Sequence, residues 1–262
     1  MIAAETKGRL GNQMFIVATA NSLALDNNDS AIFPEQVVCA TLPTARETSI
    51  HRNTVLRNIK YTNDFSFVEH TFYETPDHSY IPIEYNNNIF LRGYFQSEKY
   101  FKHNRENILE LFAPIPQIDT LLNKKYKDII YKENVVSVHV RRGDYSKFSD
   151  YHANIGPDYY SQAMQQFPSD STFVFFSDDI EWCKQTFKGE RLIFIEKQDD
   201  VLDLYLMSKL TNNIIANSSF SWWGAWLNSA ENKKVIAPKI WFGPKNKHLN
   251  RKDITPEEWL TI

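Results

Sequence analysis

Residues 135–145 read VVSVHVRRGDY, so an imidazole, two guanidiniums and a carboxylate (His139, Arg141, Arg142, Asp144) cluster where a β-branched run stops. A guanidinium is a planar donor fork suited to phosphate oxygens. A carboxylate or an imidazole can take a proton from a hydroxyl. A second polar run, Asn217-Ser218-Ser219-Phe220-Ser221, precedes an apolar stretch beginning at Trp222. Hydroxyls and unpaired backbone N–H groups at a helix start form an anion cradle, although plain serine capping would use the same residues. Asp203 falls about one turn into an expected helix. Its carboxylate can accept the two adjacent N–H donors of a guanine edge, or can simply favour the positive end of the helix. Together these groups have the chemistry of a nucleoside diphosphate site.

Such residues act only if the fold collects them. Val135, Val136, Val138 and Val140 predict a buried parallel strand. Successive side chains alternate faces, so His139 and Arg141 share one and Arg142 takes the other. This makes Arg141 the expected ligand-facing arginine and Arg142 the prop. Strands are expected over 172–176, 191–195, 213–216 and 235–237, separated by helices over 157–167, 180–187, 199–210 and 222–230. That alternation predicts a parallel sheet. In open α/β sheets ligands bind beyond the carboxyl ends of the strands. Arg141, Asp178, Asp203 and Ser218-Ser219 all occupy that edge.

Earlier in the chain, a strand over 2–5 leads through Gly8-Arg9-Leu10-Gly11-Asn12-Gln13 into a helix ending at Asp26-Asn27-Asn28. The glycines are spaced GxxG, which is not the dinucleotide fingerprint. Residues 30–85 show only short strand-like pieces, at 31–33 and 65–68. A strand over 88–95 follows, then a helix capped by Ser97 and running to Phe112. Pro114 and Pro116 break that pattern, and 118–131 reads as a short helix or linker.

At 262 residues the chain can bury a large core as one or two domains. A net charge of −3 argues against a nucleic-acid surface. Cys39 and Cys183 cannot form a disulfide framework, which implies a reducing compartment. No run reaches membrane-spanning length and no signal peptide is read at Met1. The expectation is a cytoplasmic protein without a transmembrane segment. Asp178-Asp179 alone offers too few converging oxygens for a cation, so no metal is expected.

The blocks GRLGNQMF (8–15), LRGYFQSEKYF (91–101), VSVHVRRGDY (136–145), FFSDD (175–179) and NSSFSWWGAWL (217–227) together resemble glycosyltransferase family 11, the α-1,2-fucosyltransferases. The resemblance implies an α/β, GT-B-like fold with two Rossmann-like halves facing a central cleft. The expected domains are an acceptor-side domain over 1–130 and a GDP-sugar-binding domain over 131–262. It further implies GDP-fucose as donor substrate, inversion, no cofactor and no required metal. By the same resemblance Arg141 holds the β-phosphate, Ser218 and Ser219 contact the diphosphate, and Asp203 reads guanine. Asn12, in the turn with Gly11 and Gln13, stands near the donor. Asp178, Asn217 and Phe220 complete the expected donor contacts. Asp144 is the candidate base and His139 the reserve.

The expected reaction transfers fucose to the 2-hydroxyl of a terminal β-galactoside in a glycan. Peripheral association with membrane-borne acceptors at the inner face is compatible with it. Competing readings are a transferase of the same architecture using another GDP-sugar, and a non-catalytic nucleotide- or sugar-binding protein. A nucleoside-phosphate hydrolase is set aside because the P-loop GxxxxGK[ST] is missing.

Overall fold

The computed structural model describes residues 1–36, 50–143, 145, 148–196 and 198–262. They form two compact units, Met1–Pro114 with Leu249–Pro256, and Ile115–His248 with Glu257–Ile262. The chain leaves the first unit at the proline break, earlier than the boundary expected at 130. The reason is that the following helices pack on the second unit. Ile118, Leu122 and Tyr126 are buried, and Asp119 pairs with Lys209 at 2.6 Å.

The first unit contains β1 (Ile2–Ala4), α1 (Leu10–Asp26), β2 (Ala31–Pro34), β3 (Lys60–Thr62), β4 (His70–Tyr73), β5 (Ile89–Arg92) and α2 (Arg105–Leu111). Its strands are parallel in the order β3-β2-β1-β5-β4. β1 is buried along its whole length, as a central strand covered on both faces must be. The strand expected over 65–68 is instead a turn. Asp64 accepts from Ser66 N at 2.9 Å, while Thr62 Oγ1 accepts from Asp64 N at 3.0 Å. These side chains compete with a ladder for the backbone. The phenylalanines pack as rings, Phe65 edge-on to Phe90 at 5.6 Å. Ser97 caps only a single 3-10 turn, Glu98–Tyr100, by accepting from Lys99 N. The α-helix expected from that cap starts later, at Arg105.

The second unit contains α3 (Pro116–Lys125), α4 (Lys127–Ile130), β6 (Val135–Val140), α5 (Pro157–Met164), β7 (Thr172–Ser177), α6 (Ile180–Thr186), β8 (Leu192–Phe194), α7 (Asp200–Lys209), β9 (Asn212–Ile214), α8 (Ser219–Trp226), β10 (Val235–Ala237) and β11 (Leu260–Thr261). All strands are parallel, in the order β11-β10-β9-β6-β7-β8. The chain starts in the middle at β6, winds outward to β8, then crosses back through α7 to β9 on the other side. The strand order therefore reverses between β6 and β9, the place where such sheets bind ligands.

Two boundaries differ from expectation. α8 begins at Ser219 and ends at Trp226 instead of running to Ala230. Asn228 stops it: its Nδ2 donates to Leu210 O at 2.7 Å and to Asn213 Oδ1 at 2.8 Å, and its Oδ1 accepts from Ala230 N at 2.8 Å. β11, unforeseen, is a two-residue strand on the sheet edge. Among the described residues no helix is long and apolar enough to cross a membrane.

Candidate functional site

The end of β6 is built as a corner of charge pairs. Arg141 Nη1 lies 2.9 Å from Asp178 Oδ2, just past the end of the neighbouring β7. The other oxygen of Asp178 accepts from Arg142 N at 2.9 Å. Gly143 completes the corner because a Cβ there would stand 2.5 Å from Asp178 Oδ2. Arg142 donates from Nε to Asp179 Oδ2 at 3.3 Å and lies over the Trp182 ring, 3.9 Å from its centroid. Asp179 also caps α6, accepting from Trp182 N at 3.3 Å. Arg142 is thus the propping arginine. Asp178, expected among the donor contacts, is the counter-ion of Arg141.

β9 lies beside β6, and its exit leads to Asn217-Ser218-Ser219. Asn217 is buried, its Nδ2 donating to Ala153 O at 2.9 Å and Trp241 O at 2.8 Å. Its carbonyl accepts from Tyr145 Oη at 3.2 Å, and the Arg141 guanidinium sits 5.4 Å from the Tyr145 ring centroid. Ser218 occupies the N-cap of α8, yet its hydroxyl makes no capping hydrogen bond. Its carbonyl accepts from Trp222 N at 3.0 Å. Simple capping therefore does not explain this serine. Behind it, Trp222, Trp223 and Trp226 are buried. Gly224 lets α8 approach α7, where an added Cβ would meet Met207 Cβ at 3.0 Å.

His139 is buried with its ring 5.6 Å from that of Phe220, which joins the end of β6 to the start of α8. Its Nδ1 is buried without a hydrogen-bond partner among the described residues. Burial pushes its pKa well below the ordinary imidazole range, against the pull of Asp178 and with help from Arg141. The ring is held neutral and resists gaining a proton, which weakens it as a reserve base. Asp144, the first candidate base, lies outside the described residues.

Asp203 sits in the first turn of α7, on the same edge of the sheet. Gln198 Nε2 donates to its Oδ1 at 2.6 Å, and Tyr126 Oη donates to Gln198 Oε1 at 2.6 Å. Burial pushes the Asp203 carboxyl up to about 7. Tyr126 and Gln198 carry no motif, and sequence reasoning missed them. They are far apart in the chain, and only the packing of the segment after Pro114 brings them together.

The first unit has its own strand-end turn. Gly8 adopts φ +74°, and a Cβ there would meet Asn12 Nδ2 at 2.5 Å. The side chain of Gln13 donates back to Gly8 O at 3.0 Å. Asn12 Oδ1 accepts from Gln96 Nε2 at 2.8 Å. Gly11 is buried in the first turn of α1. Gln13 thus shapes its own turn, while Asn12 is oriented by a residue from beyond β5. Gln96 was legible only as part of the 91–101 block.

A family model described as glycosyl transferase family 11 matches residues 1–262. An alpha-1,2-colitosyltransferase of Escherichia coli is 31% identical, the match covering 100% of this chain and 99% of that protein. The O-antigen biosynthesis glycosyltransferase WbnK of Escherichia coli is 30% identical over 97% of this chain and 98% of its own length. Galactoside 2-alpha-L-fucosyltransferase SEC1 of Bos taurus is 27% identical over 84% of this chain and 62% of its own. Among solved structures, POFUT1 in complex with GDP-fucose aligns with a TM-score of 0.54 at 10% identity, over 90% of this chain and 97% of that one. This likeness, with the two parallel sheets, shows the α/β, GT-B-like fold class.

Proposed function

The chain belongs to glycosyl transferase family 11, and on that premise we propose that it transfers L-fucose from GDP-β-L-fucose to the 2-hydroxyl of a terminal β-galactoside in a glycan. The observation that carries this reading is the reversal of strand order between β6 and β9. Arg141 and Asn217-Ser218-Ser219 leave the sheet at those two adjacent strand ends. There the Arg141 fork grips the β-phosphate, and the serine hydroxyls with the start of α8 receive the remaining diphosphate charge. Asp203 reads the guanine edge.

In the transfer, the bond from the sugar's anomeric carbon to the diphosphate oxygen breaks as the acceptor oxygen bonds to that carbon from the opposite face. GDP leaves with the bonding electrons, and the acceptor's proton goes to a base, for which we keep Asp144. Donors already in place where charge develops are worth about 3–4 kcal/mol each. Arg141 is such a donor, because Asp178 orients it before the substrate arrives. Asp178 and Asp179 are each paired with an arginine, which supports a reaction without a metal. The setting we assign is cytoplasmic, with acceptors presented at the inner membrane face.

One observation favours a second donor. The match to the colitosyltransferase spans both proteins almost end to end. A GDP-activated sugar lacking the 3-hydroxyl of fucose would meet the same nucleotide contacts. The test is an acceptor panel with GDP-fucose, GDP-colitose and GDP-mannose in the presence of EDTA, reading linkage and turnover. An α-1,2-fucosyl product formed with EDTA present is the expected result. Turnover with GDP-colitose alone selects the second donor. Tight GDP binding without GDP release from any donor would make the chain a binding protein.

A further inference from the structure

The relay Tyr126–Gln198–Asp203 has a direction. Tyr126 Oη donates to Gln198 Oε1 at 2.6 Å, which leaves the amide nitrogen to donate to Asp203 Oδ1, also at 2.6 Å. A tyrosine hydroxyl, an amide and a carboxylate can be satisfied in that order without any group reversed. Aligned donors of this kind reinforce one another. Asp203 is partly buried at the first turn of α7. The groups around it are mixed in sign. Asp200 and Asp199 on its own element oppose its ionisation, while Gln198, and Lys125 from α3, favour it. Lys209, further along α7, is already committed to Asp119 of α3.

We propose that Tyr126 and Gln198 are positioning residues of the nucleotide site, holding Asp203 as a carboxylate for the base so that base binding is coupled to release of the Asp203 proton. This rests on Asp203 as the reader of guanine. Two parallel N–H donors need two acceptor lone pairs. A protonated carboxyl presents an O–H to one of those donors, and only the carboxylate accepts both. With burial raising the carboxyl to about 7, a substantial fraction is protonated near neutrality. Binding then expels that proton to solvent. Gln198 shifts the balance toward the carboxylate by donating to it, and Tyr126 keeps the amide from turning its oxygen toward the acid.

The test is calorimetry of the full chain with GDP and with IDP, which lacks the 2-amino group, from pH 6 to 8.5 in two buffers of different ionisation enthalpy. The wild-type protein is expected to release up to about one proton on binding GDP on the acid side, and almost none at pH 8.5. Its GDP affinity should weaken toward ~tenfold per pH unit below the carboxyl's titration. In Gln198→Leu that fall should move to higher pH, weakening GDP severalfold at pH 7 and much less at pH 8.5. Tyr126→Phe should shift it in the same direction by less. A merely structural role predicts uniform weakening at every pH with the midpoint unmoved, and that result overturns the proposal. Asp203→Asn separates the two levels of the argument. If it leaves the GDP-to-IDP ratio unchanged, the guanine reading fails and the relay falls with it. If the ratio collapses while Gln198→Leu leaves the pH curve in place, only the relay is overturned.

Discussion

Asp178 holds Arg141 by its side chain at 2.9 Å, and with its other oxygen accepts from the backbone N–H of the next residue, also at 2.9 Å. One carboxylate therefore fixes both the guanidinium and the turn that carries it. A fork held this way loses little freedom when a diphosphate arrives. The two consecutive arginines are consequently unequal, since Arg142 is spent on Asp179 and the Trp182 ring.

That inequality gives the first prediction. Arg141→Lys keeps the charge but loses the planar fork, and should lower kcat about 10²-fold or more, the typical loss of one transition-state donor. Arg142→Lys should leave kcat within a few-fold and instead lower the melting temperature, because it removes the stacking on Trp182. Steady-state kinetics and thermal unfolding of both variants check this. Turnover of Arg141→Lys within twofold of wild type would sink the assignment.

Gly143→Ala tests the corner itself. The new Cβ would stand 2.5 Å from Asp178 Oδ2, so the carboxylate must swing away from Arg141. A partly exposed ion pair contributes only about 0–1 kcal/mol to stability, so the fold should tolerate the change. Misplacing the fork should still cost about tenfold or more in kcat/KM. A variant with wild-type kinetics would show that Asp178 does not orient Arg141 for catalysis.

Ser218→Ala separates a binding hydroxyl from a capping one. Loss of a capping serine typically costs about 1 kcal/mol. Here the hydroxyl makes no capping bond, so stability should change by less than about 0.5 kcal/mol. A lost hydrogen bond to a charged phosphate, at about 1.5–3 kcal/mol, should raise the donor KM about tenfold or more. Denaturant unfolding and donor titration give the two numbers, and the opposite pattern would return Ser218 to a structural role.

The strand ends are legible in the sequence because a β-branched run that stops at charged residues has few other readings. Val135–Val140 matches β6 end for end. The expected edge residues of the second unit do lie on one edge, since alternating strands and helices leave no other arrangement. Partnerships between distant residues are not legible. Nothing in FFSDD says that Asp178 would take Arg141 and Asp179 Arg142, and nothing marks Tyr126 or Gln198. The turn at 65–68 misleads for a physical reason: Phe65 and Phe67 imitate the alternation of a strand, while Thr62 and Asp64 capture the backbone N–H groups a strand would need.

The last prediction concerns acid stability. His139 has its folded-state pKa pushed down to about 4 by burial, against Asp178 and with Arg141, whereas an unfolded imidazole titrates near ~6.5. Between those values the unfolded chain binds more protons than the folded one, so folding stability falls as pH drops through that window. The stability it preserves is fully present above pH ~6.5 and is lost by about pH 4. His139→Gln removes the titration and should flatten that part of the curve, provided the neighbouring Asp178–Arg141 pair stays formed. Melting temperatures of both proteins at half-unit steps from pH 4 to 8 test it. The curves should converge at acid pH and separate above 6.5, where the well-packed neutral ring stabilises the native state. Parallel curves across the whole range would show that His139 titrates normally and is not enclosed by the end of β6 and Phe220.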